Sequence, residues 1–342
     1  MPKGSGFGRY WAGAAISSFG GAVTAVAMPV LVIQHLNASA IEVGVVNAAQ
    51  LIPYAVLGLL AGVALAIVRS LFMGGIRNPQ EIEAHTGLNV YSVVPFTQEQ
   101  LLIEQRIAAK TPGLQLLAYS RPDSPAVESL RSLRIALQFA TLEAGNNRVM
   151  ITGATPGVGK SFISANFAAI MAIAGKRVVL IDADMRKGHI HQQFGTKREN
   201  GLSELLAGMI GFDQAVRRGV MPNLDLITTG KLPLNPADMM MSETFRNLMD
   251  TLSAQYDLVV IDTPPVLVAA DAAAVAPLAG AVLLVARADQ TQLGELNESA
   301  KRLTQVGKPA SGVIFNAMDM TRRHYGSYKY GGYRYTEYKY KA

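Results

Sequence analysis

The chain has 342 residues, a formal net charge of +6 and no cysteine. The lack of cysteine excludes disulfide frameworks, thiolate zinc sites and thiol nucleophiles, and fits a reducing compartment. Most of the charge lies at the C-terminal end, where Arg322, Arg323, Lys329, Arg334, Lys339 and Lys341 stand against Glu337 alone, a net +5. The rest is close to neutral, so a broad nucleic-acid footprint on the globular part is not supported.

Residues 1–10 are read as a cytoplasmic N-terminus. Between Arg9 and Arg69 the one charged side chain is Glu42, and two apolar runs, about 11–33 and 43–68, occupy that window. At about 1.5 Å per helical residue each is long enough to cross a hydrocarbon core of about 30 Å. Two transmembrane helices are therefore expected within 11–73. Gly13, Gly20, Gly21 and Ala25 suit close helix packing, and Tyr10 and Trp11 suit an interface. Lys3 and Arg9 precede the first run while Arg69 and Arg77 follow the second, which puts both ends in the cytoplasm. A cleaved signal peptide is the rival reading, but the first run is long for one and a second span follows it. The opening, "RYWAGAAISSFGGAVTAVAMPVLVIQHLNASAIEVGVVNAAQLIPYAVLGLLAGV", also resembles the first two helices of a major facilitator superfamily transporter. Nothing after residue 63 continues such a transporter, and two of its helices make no transport pathway, so the segment is read as an anchor.

Residues 74–120 look like a linker with a small strand or two. "SPAVESLRSLRIALQFATL" then reads as a helix, with Ser124 at the N-cap and Pro125 at N1. Leu130, Leu133, Leu137 and Ala140 share one face; Glu128, Arg131 and Arg134 form a charged stripe on another. Spacing alone makes that stripe a solvated face. Beyond it, "RVMITG", "RVVLID", "LDLIT", "DLVVID", "GAVLLVAR" and "GVIFNA" are strand-like and mostly separated by helical patterns. This alternation predicts an α/β domain over 121–320 with a doubly wound, mainly parallel sheet.

"VMITGATPGVGKSF" runs from a β-branched strand through a glycine-bearing loop into a helix, the pattern of a phosphate-binding P-loop. Gly157, Val158, Gly159, Lys160, Ser161 and Phe162 form the candidate cradle: glycines for close backbone approach, the lysine for charge, the serine hydroxyl for Mg²⁺. Ala154 stands where the first glycine of the usual spelling belongs, with Gly153 one place early. The bland alternative is a strand-to-helix turn with a chance lysine. Ligands of such sheets bind beyond the strands' carboxyl ends, and acids sit there twice. "VVLIDADMR" ends in Asp182 and Asp184 with Arg186 following, and "LVVIDTPP" carries Asp262. A carboxylate beside a P-loop can hold Mg²⁺, and a second can take a proton from an attacking hydroxyl.

Taken together, "ATPGVGKS", "VLIDADMR", "LVVIDTPP", "ESLRSLR" and a tyrosine-rich end resemble the cytoplasmic half of the bacterial tyrosine autokinases of exopolysaccharide export. The resemblance runs from about residue 64 to the end. It implies ATP as phosphoryl donor, with Lys160 on the phosphates, Ser161, Asp182 and Asp262 at Mg²⁺, and Asp182 and Asp184 in metal positioning and base catalysis. Arg186 and Asn316 are further nucleotide-binding candidates, Asn316 for adenine, with a turn-forming asparagine as its alternative. The family also implies a ring-shaped homo-oligomer contacting through Glu128, Arg131 and Arg134. Its further implications are export and polymerisation machinery and a cognate tyrosine phosphatase as partners, and a place in the bacterial inner membrane. A partitioning or septum-placing switch ATPase is the rival class, but its signature lysine is replaced by Thr155. A membrane-tethered adaptor with a dead P-loop is opposed by the intact lysine, serine and aspartates.

Residues 321–342 hold Tyr325, Tyr328, Tyr330, Tyr333, Tyr335, Tyr338 and Tyr340, seven of the chain's 12 tyrosines. Aromatics interleaved with cations also suit single-stranded nucleic acid. With several glycines and no sustained apolar face, the segment is expected to be mobile, and beside a nucleotide site it is read as the phosphoacceptor rather than a nucleic-acid binder. One departure from the family is that only "QHLNASAIE" separates the two apolar runs, where the relatives carry a large extracytoplasmic domain.

Overall fold

The computed structural model describes residues 39, 41, 45, 52, 54–65, 74–142 and 145–320, and divides the chain into Met1–Met73 and Gly74–Ala342. In the first unit residues 54–65 are helical, and Leu57, Leu59, Leu60 and Leu65 stand exposed around the helix. Among the described residues no helix is long and apolar enough to cross a membrane. The expected span 11–33, and most of 43–68 outside 54–65, lie outside the described residues, as does the tyrosine-rich segment.

The second unit contains, in chain order, α1 (Pro79–Thr86), β1 (Val90–Pro95), α2 (Gln98–Ala108), α3 (Pro125–Leu142), β2 (Arg148–Gly153), α4 (Lys160–Ile173), β3 (Val178–Asp182), β4 (Val216–Met221), β5 (Leu224–Ile227), α5 (Glu243–Gln255), β6 (Leu258–Asp262), β7 (Ala281–Arg287), α6 (Leu293–Gln305) and β8 (Gly312–Met318), with several shorter helices. The strands form one sheet in the order β1-β8-β7-β2-β6-β3-β5-β4, parallel throughout except for the β4–β5 pair. The central strands read as unbroken apolar runs because helices cover both faces. Val149 and Ile151 of β2 point into one core layer with Leu130 and Leu133 of α3 and Phe167 of α4. Met150, between them, points into the other, with Phe245 and Leu252 of α5 and Leu296 of α6. Period-two alternation thus builds two cores around one sheet.

Two parts of the architecture differ from the sequence reading. Residues 74–120 are more than a linker: β1 extends the sheet by pairing with β8, Val94 opposite Asn316, and Val94, Ile103 and Leu116 are buried. β4 was not anticipated, because an edge strand carrying Arg217 and Arg218 lacks the apolar run that marks its neighbours. In α3, Pro125 opens the helix and the Ser124 carbonyl accepts the Glu128 N–H at 3.0 Å. The Ser124 hydroxyl, expected to cap the helix, is buried and has no partner among the described residues. Leu130, Leu133 and Leu137 are buried as the spacing predicts, while Glu128, Arg131 and Arg134 are exposed; the Ala140 side chain lies outside the described ones.

Candidate active site

The carboxyl ends of β2, β6 and β3 lie side by side, and everything that leaves them meets there. The loop from β2 to α4 turns through two glycines in the left-handed region, Gly157 (φ 80°) and Gly159 (φ 94°), where a side chain would be strained. The displaced first glycine of the motif has its own reason. A Cβ on Gly153 would lie 2.7 Å from Val158 Cγ2 and 2.9 Å from the Val285 carbonyl, so Gly153 lets the loop fold back onto the sheet, while Ala154 is buried without conflict. Val158 is buried in the core and Phe162 packs half-buried against it, so the groups they can offer a ligand of the loop are their backbone N–H groups.

At the first turn of α4, Lys160 is 8% exposed and Ser161 donates to Asp262 Oδ2 at 2.7 Å. One turn on, Ser164 donates to the other Asp262 oxygen at 2.8 Å. Asp182 is directly opposite Asp262 in the β3–β6 register, and both are buried. The Ile190 N–H donates to Asp182 Oδ2 at 3.0 Å, but Asp182 Oδ1 has no partner among the described residues. Burial, and then the neighbouring Asp262 carboxylate, push the Asp182 carboxyl up to about 8. Burial also raises Asp262, against the pull of Lys160 and the two serines. Two adjacent buried carboxyls, one with an oxygen unpartnered among the described residues, repel each other unless a proton or a cation offsets their charge.

The donor set fits Mg²⁺. It consists of hard oxygens, those of Asp182, Asp262 and Ser161. Among the described residues no group of three or more His, Cys, Asp or Glu is placed to hold a metal by itself.

Asp184 is half-buried, and its Oδ1 accepts the N–H groups of Arg186 and Lys187 at 3.2 and 2.9 Å, which folds the β3 exit into a tight turn. Arg186 reaches across to Asp271, fully buried, with bonds of 2.8 and 3.0 Å. Asn316 lies inside β8, so it is not a turn former; its amide donates to the Val158 carbonyl at 2.9 Å, and its Oδ1 has no partner among the described residues. Lys160, Ser161, Asp182, Asp262 and Asn316 thus converge on the loop, and Asp184 and Arg186 form its neighbouring wall. Glu128, Arg131 and Arg134 stand apart on α3.

Several contributors carried no motif. Ser164 sits three residues after Ser161 and had a helical-spacing signal. Asp271 was a lone acid in an alanine-rich stretch. Thr229, which donates to the Asp182 carbonyl at 3.2 Å, had no signal at all. Nor had Gly188, where a Cβ would meet Thr229 Oγ1 at 1.7 Å and Asp182 Oδ1 at 2.8 Å.

Comparison with known proteins gives this arrangement a lineage. Residues 147–308 match the family described as an AAA domain. The chain is 52% identical over 271 residues to the putative tyrosine-protein kinase EpsB of Ralstonia solanacearum, covering 79% of this chain and 36% of that protein. It is 37% identical over 272 residues to the tyrosine-protein kinase etk of Escherichia coli, covering 77% and 37% respectively. The chain therefore spans little more than a third of the length of these relatives. Among solved structures, the BceF tyrosine kinase domain is 40% identical with a TM-score of 0.66, covering 71% of this chain and 99% of that one. The kinase domain of the Escherichia coli tyrosine kinase ETK is 38% identical with a TM-score of 0.67, covering 75% of this chain and 100% of that one. A chain that matches these kinase domains over essentially their whole length, and carries a P-loop with paired buried carboxylates, belongs to the bacterial tyrosine kinase family.

Proposed function

We propose that the protein is an ATP-dependent tyrosine autokinase that phosphorylates its own C-terminal tyrosines, in trans between neighbours, and regulates exopolysaccharide synthesis and export. The observation that carries this reading is the 40% identity kept over 99% of a solved tyrosine kinase domain. The site supplies the parts such a reaction needs.

Phosphoryl transfer asks little covalent chemistry of the protein; it asks for position and charge. In this reading Lys160 and the N–H groups of Gly157 to Phe162 bind the phosphates, while Ser161, Asp262 and Asp182 hold Mg²⁺. Bound Mg²⁺ supplies charge neutralisation on the phosphate oxygens. The acceptor phenol, neutral at physiological pH, hydrogen-bonds a carboxylate at the β3 exit, Asp182 or Asp184, which takes its proton as the oxygen attacks. Arg186, held by Asp271, lies beside this exit and steadies charge on the transferring group. Asn316 Oδ1 offers the acceptor that an adenine amino group requires.

The exposed stripe Glu128, Arg131 and Arg134 is proposed as the ring contact. The apolar helix at 54–65, exposed around its circumference, supports a two-pass membrane anchor with cytoplasmic ends, and the transporter-like opening is read as its origin. Export machinery and a tyrosine phosphatase are the proposed partners. Incubating the purified chain with Mg²⁺ and ATP, then mapping phosphosites, tests the reading. Phosphate on Tyr325 to Tyr340 supports it; ATP hydrolysis without phosphotyrosine would hand the chain to the switch-ATPase class.

A further inference from the structure

The phosphate cradle is held open from behind by three side chains that no motif marks as a set. They come from the carboxyl ends of β7 and β8 and bind three successive loop carbonyls. Gln290 Nε2 donates to the Pro156 carbonyl at 3.4 Å, Arg287 to the Gly157 carbonyl at 3.1 Å, and Asn316 Nδ2 to the Val158 carbonyl at 2.9 Å. A peptide unit is planar and trans, so its C=O and the N–H of the next residue point in opposite directions. Drawing these three carbonyls outward therefore turns the N–H groups of Gly157, Val158 and Gly159 to the inside of the loop. That is the arrangement an anion-binding nest requires.

The clamp is itself built in. Arg287 and Asn316 are register partners across the β7–β8 pair, so two of the three donors are set side by side by the sheet. The turn after Arg287 is closed by reciprocal bonds, the Thr291 N–H to the Arg287 carbonyl at 2.9 Å and the Arg287 N–H to Thr291 Oγ1 at 2.8 Å. The Gly159 peptide sits so close to Asn316 that a Cβ there would be 2.2 Å from Nδ2. Loop and clamp are thus fitted to each other.

We propose that Arg287, assisted by Gln290, is a positioning residue that presets the P-loop amides for nucleotide phosphates. It acts through the Gly157 carbonyl and does not touch the substrate. The inference rests on the reading of this loop as a nucleotide site and adds to it a residue outside the P-loop and the strand-terminal acids. Without Arg287 the Gly157–Val158 peptide is free to rotate, and part of the binding energy is spent on ordering it. The loss falls on affinity, with the chemical step largely kept once phosphates are seated.

The test uses the full-length chain purified in detergent, with Mg·ATP and Mg·GTP binding measured by calorimetry beside tyrosine-phosphorylation kinetics. Arg287→Ala is expected to raise the ATP Kd and KM about tenfold, with kcat within threefold and the melting temperature within 2 °C of the parent. Arg287→Gln, which keeps a donor without charge, should recover more of the affinity than Arg287→Met, and adding Gln290→Ala to Arg287→Ala should weaken binding further. The cradle ignores the base, so the fold-loss should be the same for ATP and any measurable GTP binding. An Arg287→Ala variant that binds ATP within twofold of the parent overturns the inference while leaving the nucleotide site standing. So does a loss confined to kcat, or one confined to ATP. If the parent binds nucleotide but forms no phosphotyrosine, the kinase reading falls and the clamp is still judged by the Kd values.

Discussion

Asp182 brings a single residue's electrostatics to the level of a measurable pH dependence. Its folded-state pKa of about 8 stands above the ordinary carboxyl value of 3.8, so between those values the folded chain binds protons that the unfolded chain has lost. Stability from this group is therefore fully present below the unfolded value and is lost as pH rises through the folded one. Asp262 shifts in the same direction. In chelator, without nucleotide, the melting temperature of the protein is expected to fall between pH 5.5 and 8.5. Asp182→Asn removes the buried charge at its source: its melting temperature at pH 8 should exceed the parent's by about 4 °C, equivalent to about 1–2 kcal/mol for a domain of this size, and its pH slope should flatten. The same variant should lose at least 100-fold in phosphotyrosine formation, because it removes the negative charge and one oxygen of a proposed Mg²⁺ ligand. A variant as pH-sensitive as the parent would refute the assignment of the slope. Lys160→Met is the complementary case. It loses phosphate charge rather than core packing, so phosphotyrosine should vanish while circular dichroism stays unchanged; parental phosphotyrosine in the absence of another kinase would remove Lys160 from the mechanism.

At the scale of elements, α3 carries two different faces and only one has a partner within the described chain. Its leucines fill the core, whereas Arg131 pairs with Glu128 of the same helix at 2.8 Å, both side chains half exposed, and Arg134 borders Ile135, itself 58% exposed. An exposed ion pair of this kind contributes little to stability. Changing Arg131 and Arg134 together to Ala should therefore leave the fold intact, shift the oligomer to monomer in light scattering, and slow self-phosphorylation about tenfold. Unchanged mass and rate would return the stripe to a solvated face. How much of this was legible beforehand follows from where each signal resides. The P-loop, Asp182 and Asp262 each end an apolar strand and are visible locally, because the strand-to-loop transition is written in adjacent residues. Thr229, Asp271, Arg287 and Gln290 reach the site from segments far apart in sequence, through strand order and crossovers that local periodicity does not encode. A small strand was expected within 74–120, but its place at the sheet edge beside β8 was not legible, because that pairing joins segments more than 200 residues apart. Gly153 was visible but misplaced: the steric demand lies one residue earlier than the usual spelling because Val158 folds back onto that position.

For the whole molecule, the decisive quantity is the charge of the segment that follows the sheet. β8 runs parallel to β7, and β7 to β2, so the chain leaves Met318 at the same edge of the sheet as the nucleotide loop. The 322–342 segment is net +5 and bears seven tyrosines, and as the proposed acceptor it would have to enter a site walled by the acids Asp182, Asp184 and Asp262. Unmodified, its positive charge would favour that site on a neighbouring copy and would add to the proposed α3 contact. Each phosphoryl group adds about −1.5 to −2 at neutral pH, so about three cancel the segment's charge and further ones reverse it. A reversed segment would be repelled by nucleotide phosphates and carboxylates together, and the proposed contact between copies would lose that contribution. On the proposed function, unphosphorylated protein is therefore expected to assemble and heavily phosphorylated protein to dissociate. Mass measured by light scattering before self-phosphorylation, after it, and after phosphatase treatment should fall and then recover. Raising the salt should weaken the unmodified assembly in the same direction, since charges at the surface are screened within about 10 Å at 0.1 M ionic strength. A mass that ignores both phosphate and salt would mean that packing, not charge, holds the copies together, and the switch would have to be sought elsewhere even in an active kinase.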